Sequence, residues 1–447
     1  MKTSNVRELA VEALAAVEKN QAYSNLLLNT FIEKSRLSPK DTALFTELVY
    51  GTLQRKITLD YFLAPFTSKA KKMELWVRIL LRLSVYQMVY LDRIPERAIF
   101  FEAVEISKRK GHKGIAGFVN GVLRAVQREG IPSLDDIKDP AERISTGTSH
   151  PLWLVKKWIR QYGLEQTEQM CSTHLLPPAA SARTNSMQLT PEEAIQILSA
   201  EGLEAEKGVL AEEAVTLKKG SISKTDLFKQ GKLSIQDESS MLTARAVGPL
   251  KHEQILDACA APGGKSSHMA ELMEGTGEII SLDLHQHKVN LIASQAERLG
   301  LQNIKPKAMD AREAAEQLAG REFDRILVDA PCSGFGVIRR KPDIKYAKTA
   351  EDVERLSSIQ KDLLDSVSRL LKKGGTLVYS TCTMDQEENE QVVAEFLSTH
   401  PDFEEDHNLK QFLPEKVHPY ISGGKLQILP HYFSTDGFFI TRLKKKV

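Results

Sequence analysis

Cysteine is scarce in this chain of 447 residues, because only positions 171, 259, 332 and 382 carry a thiol. None of the four stands in a CxxC pair or in another spacing typical of metal ligands. The sequence therefore indicates neither a disulfide framework nor a structural metal ion. We expect reduced thiols, no metal and a cytoplasmic protein, and we expect a monomer.

Long apolar runs are also missing. The most apolar stretch, residues 75–91, is interrupted by Arg78 and Arg82. The amino-terminal residues carry Arg7 and Glu8 where a signal peptide would have an apolar core. The sequence thus predicts no membrane span and no membrane partner. It contains neither internal repeats nor low-complexity tracts.

The net charge of +1 hides an uneven distribution. Residues 1–130 hold 21 Lys and Arg against 13 Asp and Glu, a balance of +8, whereas the remainder has a balance of −7. A basic amino-terminal third favours a polyanionic partner. The alternative is that its two basic clusters are only solvated helix faces. The clusters are Lys69, Lys71 and Lys72, and Lys108, Arg109, Lys110 and Lys113.

The chain reads as three sections joined by one linker. Residues 1–135 repeat apolar positions at helical spacing and predict an all-α bundle, with 75–91 as its buried central helix. Pro, Gly and polar residues over 136–150 indicate a linker. Helical and β-prone pieces over 151–232 predict a small α+β module. Strand–helix–strand patterns over 233–447 predict an α/β domain with a parallel, Rossmann-like sheet.

Two cysteines stand just after β-prone runs of this last section. Cys332 follows the run 323–328 in Asp-Ala-Pro-Cys-Ser-Gly, and Cys382 follows the run 375–379 in Ser-Thr-Cys-Thr. A helical pattern separates the runs, so they read as consecutive parallel strands, and their thiols should share one crevice at the carboxyl edge of the sheet. The alternatives are buried core thiols or a redox pair.

A second group of residues predicts a nucleoside site. The strand 254–258 runs into small residues and a helix start, which allow a ligand to approach the backbone. That loop is Cys259, Ala260, Ala261, Pro262, Gly263, Gly264 and Lys265. Asp283 ends the next strand, where a carboxylate can accept hydrogen bonds from ribose hydroxyls, and Asp310 ends the third, near an adenine edge. The predicted ligand is an adenosine derivative.

An NTPase is the competing interpretation of the same loop. Gly264-Lys265-Ser266 matches the end of a Walker A motif, and Asp329 after an apolar strand mimics a magnesium ligand. The first glycine of that motif would fall at Cys259, however, where a side chain removes the freedom of a phosphate loop. This argues for a transferase.

The paired thiols predict pyrimidine chemistry. A thiolate that adds to carbon 6 of a pyrimidine makes carbon 5 an enamine carbon, which can attack an electrophilic methyl group. Cys382, between two threonines at a strand end, is a plausible nucleophile. Cys332 and Asp329 would face it and serve in proton removal, product release or hydrogen bonding to the base or the methyl donor.

The chain resembles the RNA 5-methylcytosine methyltransferases. The resemblance is carried by the motifs that contain Cys259–Lys265, Cys332 and Cys382, and by the stretch Arg-Arg-Lys-Pro-Asp at 339–343. Residues 5–128 resemble the RNA-binding factor NusB, and the middle module resembles the RNA-recognition unit of the same family. The implied fold is a NusB-like helical bundle, an α+β module and a seven-strand methyltransferase sheet with helices on both faces and a carboxyl-terminal hairpin.

The resemblance also implies roles for individual residues. Cys382 corresponds to the nucleophile and Cys332 to the thiol that assists product release. The implied cofactor is S-adenosyl-L-methionine, held by residues 259–265 with Asp283, Asp310 and Asp329. The implied substrate is a cytosine of small-subunit (16S) ribosomal RNA, cytosine 967. Alternatives are a tRNA target, a less favoured DNA target, and a non-catalytic RNA-binding assembly factor.

Overall fold

A computed structural model describes residues 5–20, 24–68, 70 and 72–447. Lys69 and Lys71 of the first basic cluster lie outside the described residues. The chain divides into two compact units, which are Met1–Leu176 with Ile338–Ala347, and Pro177–Val337 with Lys348–Val447. The first boundary falls inside the module expected at 151–232. Nothing in the sequence pattern indicated that 338–347 belongs with the first unit.

The α-helices follow one another along both units. In chain order they are α1 (Val6–Asn20), α2 (Ser24–Ser35), α3 (Pro39–Gln54), α4 (Lys56–Thr67), α5 (Leu75–Tyr90), α6 (Glu96–Lys110), α7 (Lys113–Glu129), α8 (Pro140–Thr148), α9 (Leu152–Tyr162), α10 (Leu164–Thr173), α11 (Pro191–Ala200), α12 (Asp226–Lys229), α13 (Glu238–Val247), α14 (Gly264–Leu272), α15 (Gln286–Leu299), α16 (Ala314–Gln317), α17 (Ile344–Ala347), α18 (Ala350–Ser368), α19 (Glu390–Thr399) and α20 (Pro430–Phe433).

The β-strands all lie in the second unit. They are β1 (Ala180–Thr184), β2 (Ala205–Lys207), β3 (Ala214–Leu217), β4 (Leu233–Ile235), β5 (Gln254–Asp257), β6 (Glu278–Asp283), β7 (Ile304–Ala308), β8 (Phe323–Asp329), β9 (Leu371–Thr381), β10 (Phe403–Glu405), β11 (Ile421–Ser422), β12 (Lys425–Ile428) and β13 (Phe438–Lys445).

The first unit is helical over its described residues, as the amphipathic spacing predicts. Its core is built around α5, in which every residue from Val77 to Gln87 except Arg78 is buried. Arg82 lies within this core, and its positive charge is balanced by Asp60. The two carboxylate oxygens of Asp60 each accept a 2.7 Å hydrogen bond from the guanidinium. A helix that is apolar on nearly every face is thereby buried on nearly every face.

The stretch expected to be a linker contains α8, so this prediction is corrected. Asp139 caps the helix by accepting a 2.9 Å hydrogen bond from the Glu142 N–H, and Pro140 occupies its first turn. Both features are helix-start signals, because a cap accepts an otherwise unpaired N–H and proline needs none. Buried Ile144 then packs the short helix into the unit.

The second unit begins with a small antiparallel sheet of order β2-β3-β1-β4. Helix α11 starts with a capping box in which Thr190 and Glu193 bond to each other's backbone N–H. Ala182, Leu198 and Val215 lie in the core of this sub-structure. The β-prone pieces expected within residues 151–232 are confirmed by strands such as β1 and β3.

The large sheet of the second unit has the order β11-β12-β13-β9-β8-β5-β6-β7, and β10 pairs with β13. Strands β5 to β9 run parallel to one another, and β13 is antiparallel to β9. The expected seven strands are present, and β10 and β11 extend the sheet to nine. The expected carboxyl-terminal hairpin is confirmed as β12 and β13.

Both faces of the large sheet are covered. Alternate residues of neighbouring strands pack into two cores on opposite faces of the sheet. Ile255, Leu327 and Val378 lie in one core, and Leu256, Ile326 and Leu377 lie in the other. This explains the nearly continuous apolar runs of the central strands. Across the part of the chain described here, no helix is both long and apolar enough to cross a membrane.

Candidate active site

The two cysteine loops leave neighbouring parallel strands at the same edge of the sheet. Asp329 at the end of β8 is in register with Ser380 in β9, so Cys332 and Cys382 follow at matching heights. Their sulfur atoms are 3.4 Å apart, and both residues are half-buried rather than core residues. The expectation that the thiols share one crevice is confirmed.

Direct hydrogen bonds fix one loop against the other. The hydroxyl oxygens of Ser333 and Thr383 are 2.8 Å apart, and the Gly336 N–H donates to the Cys382 carbonyl at 2.9 Å. A Cβ atom at Gly336 would lie 1.9 Å from the Gly437 carbonyl oxygen. Only glycine permits this approach, so the spacing of the two thiols depends on it.

The residues on either side of Cys332 are held by a buried pair that sequence reasoning missed. Glu388 Oε1 accepts from the Ser333 N–H at 2.8 Å and from Gln360 Nε2 at 3.0 Å. Gln360 Nε2 also donates to the Pro331 carbonyl at 2.9 Å. Both side chains are fully buried, and burial raises the pKa of Glu388 to about 7.

The surroundings of Cys332 favour its protonated form. The hydrogen bond with Cys382, followed by burial, raises the pKa of Cys332 well above its ordinary value, and the negative charges of Glu388 and Asp329 act in the same direction. Cys332 is therefore protonated at neutral pH and can offer its S–H to the Cys382 sulfur.

Asp329 links the cysteine loops to the small-residue loop. Lys265 Nζ lies 2.6 Å from Asp329 Oδ2, and Ser380 Oγ donates to Asp329 Oδ1 at 2.8 Å. Burial alone would lower the pKa of Lys265, but the Asp329 carboxylate, together with Cys382 and Asp257, raises the pKa above its ordinary value. The ammonium also lies 5.2 Å from the centre of the Phe438 ring, a cation–π contact.

The small-residue loop runs between β5 and α14. Gly263 has a φ of +103°, which favours glycine, and the position of a Cβ at Gly264 has no atom within 4 Å. Below the loop, buried Asp257 accepts a 2.6 Å hydrogen bond from Ser266 Oγ. Burial raises the pKa of Asp257 to about 7, and the charge of Asp329 adds to this. Burial likewise raises the pKa of Cys259.

The remaining acidic candidates lie at the ends of β6 and β7. Asp283 Oδ1 accepts from the His285 N–H at 3.2 Å and is 3.6 Å from Lys288 Nζ. Asp310 is bonded to Arg312 through both carboxylate oxygens, and these hydrogen bonds lower the pKa of Asp310. The Asp310 carboxylate therefore has a hydrogen-bonded partner within its own turn, and its expected place near an adenine edge stays a prediction.

Family models match almost the whole length of the chain. Residues 244–444 match the 16S rRNA methyltransferase RsmB/F family. Residues 4–128 match the NusB family, and residues 150–222 match an RsmF/B-like methyltransferase ferredoxin-like domain. The match at 150–222 corresponds to the α+β section and includes α9 and α10, which cluster with the first unit.

Full-length relatives agree with these matches. The chain is 58% identical to the probable ribosomal RNA small subunit methyltransferase B of Bacillus subtilis over 446 residues, which is 100% of each chain. It is 34% identical to the corresponding probable enzyme of Synechocystis, covering 99% of each. The crystal structure of PH0851 superimposes with a TM-score of 0.83 at 25% identity, covering 99% of both chains. The chain thus belongs to the ribosomal RNA small subunit methyltransferase B family.

Proposed function

We propose that this methyltransferase acts on carbon 5 of a cytosine through a covalent bond between Cys382 and the RNA. The main observation in support is the 3.4 Å distance between the Cys332 and Cys382 sulfurs beside the Asp329–Lys265 pair. Two adjacent thiols suit a reaction that must first form and then break a carbon–sulfur bond, because one can add to the base while the other transfers protons. A methyl transfer to nitrogen or oxygen would need neither thiol.

S-adenosyl-L-methionine is the methyl donor of the family, and the loop between β5 and α14 suits it. The open space above Gly264 and the left-handed Gly263 let a ligand approach the backbone. We propose that residues 259–265 and Asp283 hold this donor, with Asp283 accepting from its ribose hydroxyls. When bound there, it supplies an electrophilic methyl group.

The first half of the reaction forms bonds. The Cys382 thiolate adds to carbon 6 of the cytosine, and the displaced electron pair makes carbon 5 the nucleophile that takes the methyl group. Asp329, oriented by Lys265 and Ser380, is proposed to hydrogen-bond the edge of the base. Its position between the two loops supports contact with either the base or the donor.

The second half removes the protein from the RNA. The carbon 5 proton must leave, the carbon 5–carbon 6 double bond must re-form, and the bond from carbon 6 to Cys382 must break. We propose that Cys332 gives its S–H proton to the departing Cys382 sulfur and takes the carbon 5 proton in return. The count of protons is preserved, and the high proton affinity of Cys332 suits it to take the carbon 5 proton.

The proposed target is a cytosine of 16S ribosomal RNA, cytosine 967 by family resemblance. The names of the relatives support the small-subunit RNA as substrate class. The direct test is transfer of a labelled methyl group to deproteinised ribosomal RNA, followed by bisulfite sequencing of the product. Label at a position other than carbon 5 of cytosine, or no label with correctly folded protein, would contradict the proposal.

Donor binding can be tested at Asp283. We expect Asp283→Ala to lose on the order of 1.5–3 kcal/mol of donor binding free energy, the usual range for hydrogen bonds to a charged group. Calorimetry with S-adenosyl-L-methionine measures this directly. Glu278→Ala, at the opposite end of the same strand, is the matched control. Equal donor affinity in folded Asp283→Ala and parent protein would exclude the assignment.

RNA capture is proposed for the basic amino-terminal section. In the cluster of Lys108, Arg109, Lys110 and Lys113, the first three side chains pair with acidic residues at the surface. Such exposed pairs are weak, so RNA phosphates can replace the acidic partners. The salt dependence of RNA binding distinguishes phosphate capture by this cluster from a merely solvated helix face.

Replacing all four residues of this cluster with alanine should weaken RNA binding and flatten its salt dependence. Each phosphate contact contributes about 0.7–0.9 to the slope of log K against log salt concentration, so the slope should fall by roughly 3. Donor affinity should be unchanged. The control removes four exposed lysines of the second unit, Lys219, Lys251, Lys373 and Lys410. Equal slopes for the cluster variant and the parent would leave only the solvated-face interpretation.

A further inference from the structure

A fully buried arginine joins the small sheet to α14, the helix that begins in the small-residue loop 259–265, which is called the donor loop below. Arg183 lies in β1 and has no solvent-exposed surface. Its Nη1 donates to the Gly264 carbonyl at 2.9 Å, and its Nη2 donates to Ser267 Oγ at 3.1 Å. Its Nε and Nη2 reach both oxygens of Glu271 at 2.9 and 2.7 Å.

The three acceptors on the far side lie on α14. Gly264 is the first residue of that helix and the end of the small-residue loop, whereas Glu271 lies two turns later. One guanidinium therefore fixes both the beginning and the body of the helix. Gln236 Oε1 also accepts from Arg183 Nη1, so the segment that directly follows β4 is tied to the same group.

Charge pairing alone does not account for this arrangement. A buried ion pair often stabilises a protein no more than apolar side chains of similar size, because both charges lose their hydration. The arginine of this pair also fixes the direction of a further hydrogen bond. The planar fork of arginine can bind a carboxylate with two N–H groups while a third points elsewhere, which lysine cannot do. The third direction leads to the Gly264 carbonyl.

We propose that Arg183 is a positioning residue for the methyl donor, because its hydrogen bond to the Gly264 carbonyl holds the donor loop in its binding shape. The inference rests on the proposed donor role of residues 259–265. It assigns a part in donor binding to a residue of the small sheet, which carries none of the loop itself. Loss of the contact should loosen the loop without removing any group that touches the donor.

The test separates positioning from stability with two variants. Arg183→Leu leaves Glu271 as an unpaired buried charge and should be strongly destabilised. Arg183→Leu combined with Glu271→Leu removes both charges and should recover much of the melting temperature, yet it still lacks the bond to the Gly264 carbonyl. We expect about tenfold weaker binding of S-adenosyl-L-methionine by calorimetry in the double variant, the size of one lost hydrogen bond with a charged donor.

Arg298 provides a matched control. It lies on α15, and its Nη1 donates to the carbonyls of Phe228 and Leu233 at 2.7 and 2.9 Å, so it also joins the small sheet region to a helix of the large sheet. Its Nη2 donates to Ser234 Oγ and Gln295 Oε1, and none of these four acceptors belongs to the loop 259–265. Arg298→Lys should lower the melting temperature and leave donor affinity unchanged.

Each outcome decides one question. A folded Arg183→Leu/Glu271→Leu protein with donor affinity within twofold of the parent overturns the inference, provided that Asp283→Ala still weakens binding. If Asp283→Ala and the double variant both bind normally, the donor role of the loop itself is wrong. If Arg298→Lys weakens binding as much as the double variant, the effect is general stability, and positioning by Arg183 is excluded.

Discussion

Alanine at Cys332 is expected to leave the protein attached to its RNA. Formation of the bond between Cys382 and the RNA does not need the Cys332 sulfur. The return of a proton to the departing Cys382 sulfur does need it. Incubation of Cys332→Ala with S-adenosyl-L-methionine and ribosomal RNA should therefore give a slowly migrating band on a denaturing gel. Most of the RNA-competent protein should enter this band, while the parent protein should show almost none.

Cys382→Ala supplies the contrasting case. Without the nucleophile, neither methylated RNA nor a covalent band should appear, although RNA and donor should still bind. The double variant Cys332→Ala/Cys382→Ala should abolish the band seen with Cys332→Ala. A band with Cys382→Ala and none with Cys332→Ala would exchange the roles of the two thiols. Normal turnover by both variants, without any band, would eliminate covalent catalysis.

The meeting of the two thiols could be predicted because it depends on local patterns. Each cysteine follows an apolar run at a strand end, and the helical pattern between the runs implies a parallel crossover. Parallel neighbours end at the same edge, so sequence separation of 50 residues becomes a sulfur distance of 3.4 Å. The small-residue loop and Asp283 follow from the same logic.

The groups that hold the site could not be predicted in this way. Gln360 lies in the middle of α18, where the pattern shows only an amphipathic helix. Glu388 lies just before α19, which begins at Glu390 because Asn389 has a non-helical conformation with φ −113° and ψ −95°. Glu388 is thereby free to turn inward toward Ser333, a tertiary contact without a local signal.

Arg183 illustrates the same limit at longer range. Glu271 is 88 residues away along the chain, and neither position carries a pattern that pairs them. Asp257 is an intermediate case. It ends β5, two residues before the loop 259–265, so its place at a strand end follows from the sequence, but its burial and its bond to Ser266 depend on the folded helix.

The buried carboxyl of Glu388 should make the stability of the second unit depend on pH. In the unfolded chain glutamate titrates near about 4.3, whereas burial raises the pKa of Glu388 to about 7 in the folded protein. Between these values the folded protein keeps a proton that the unfolded chain has released. Its stability therefore falls as pH rises through this window and levels off above about 7. Asp257, with a pKa also raised to about 7, acts in the same direction.

Glu388→Gln removes this contribution and keeps the shape and the oxygen that accepts from Ser333. The gain in stability of the variant over the parent should therefore grow by roughly 3 kcal/mol between pH 4.5 and 7.5. The contribution of Asp257 cancels in this difference. All three tryptophans lie in the first unit, so tryptophan fluorescence would not report on the second unit. The measurement should instead follow hydrogen exchange of amides in β8 and β9, which reports opening of the second unit. Glu354→Gln, exposed on α18, is the control and should show a flat difference. A flat difference for Glu388→Gln as well would mean that Glu388 is ionised throughout, and that its negative charge rather than its bonded proton faces Cys332 at acidic pH.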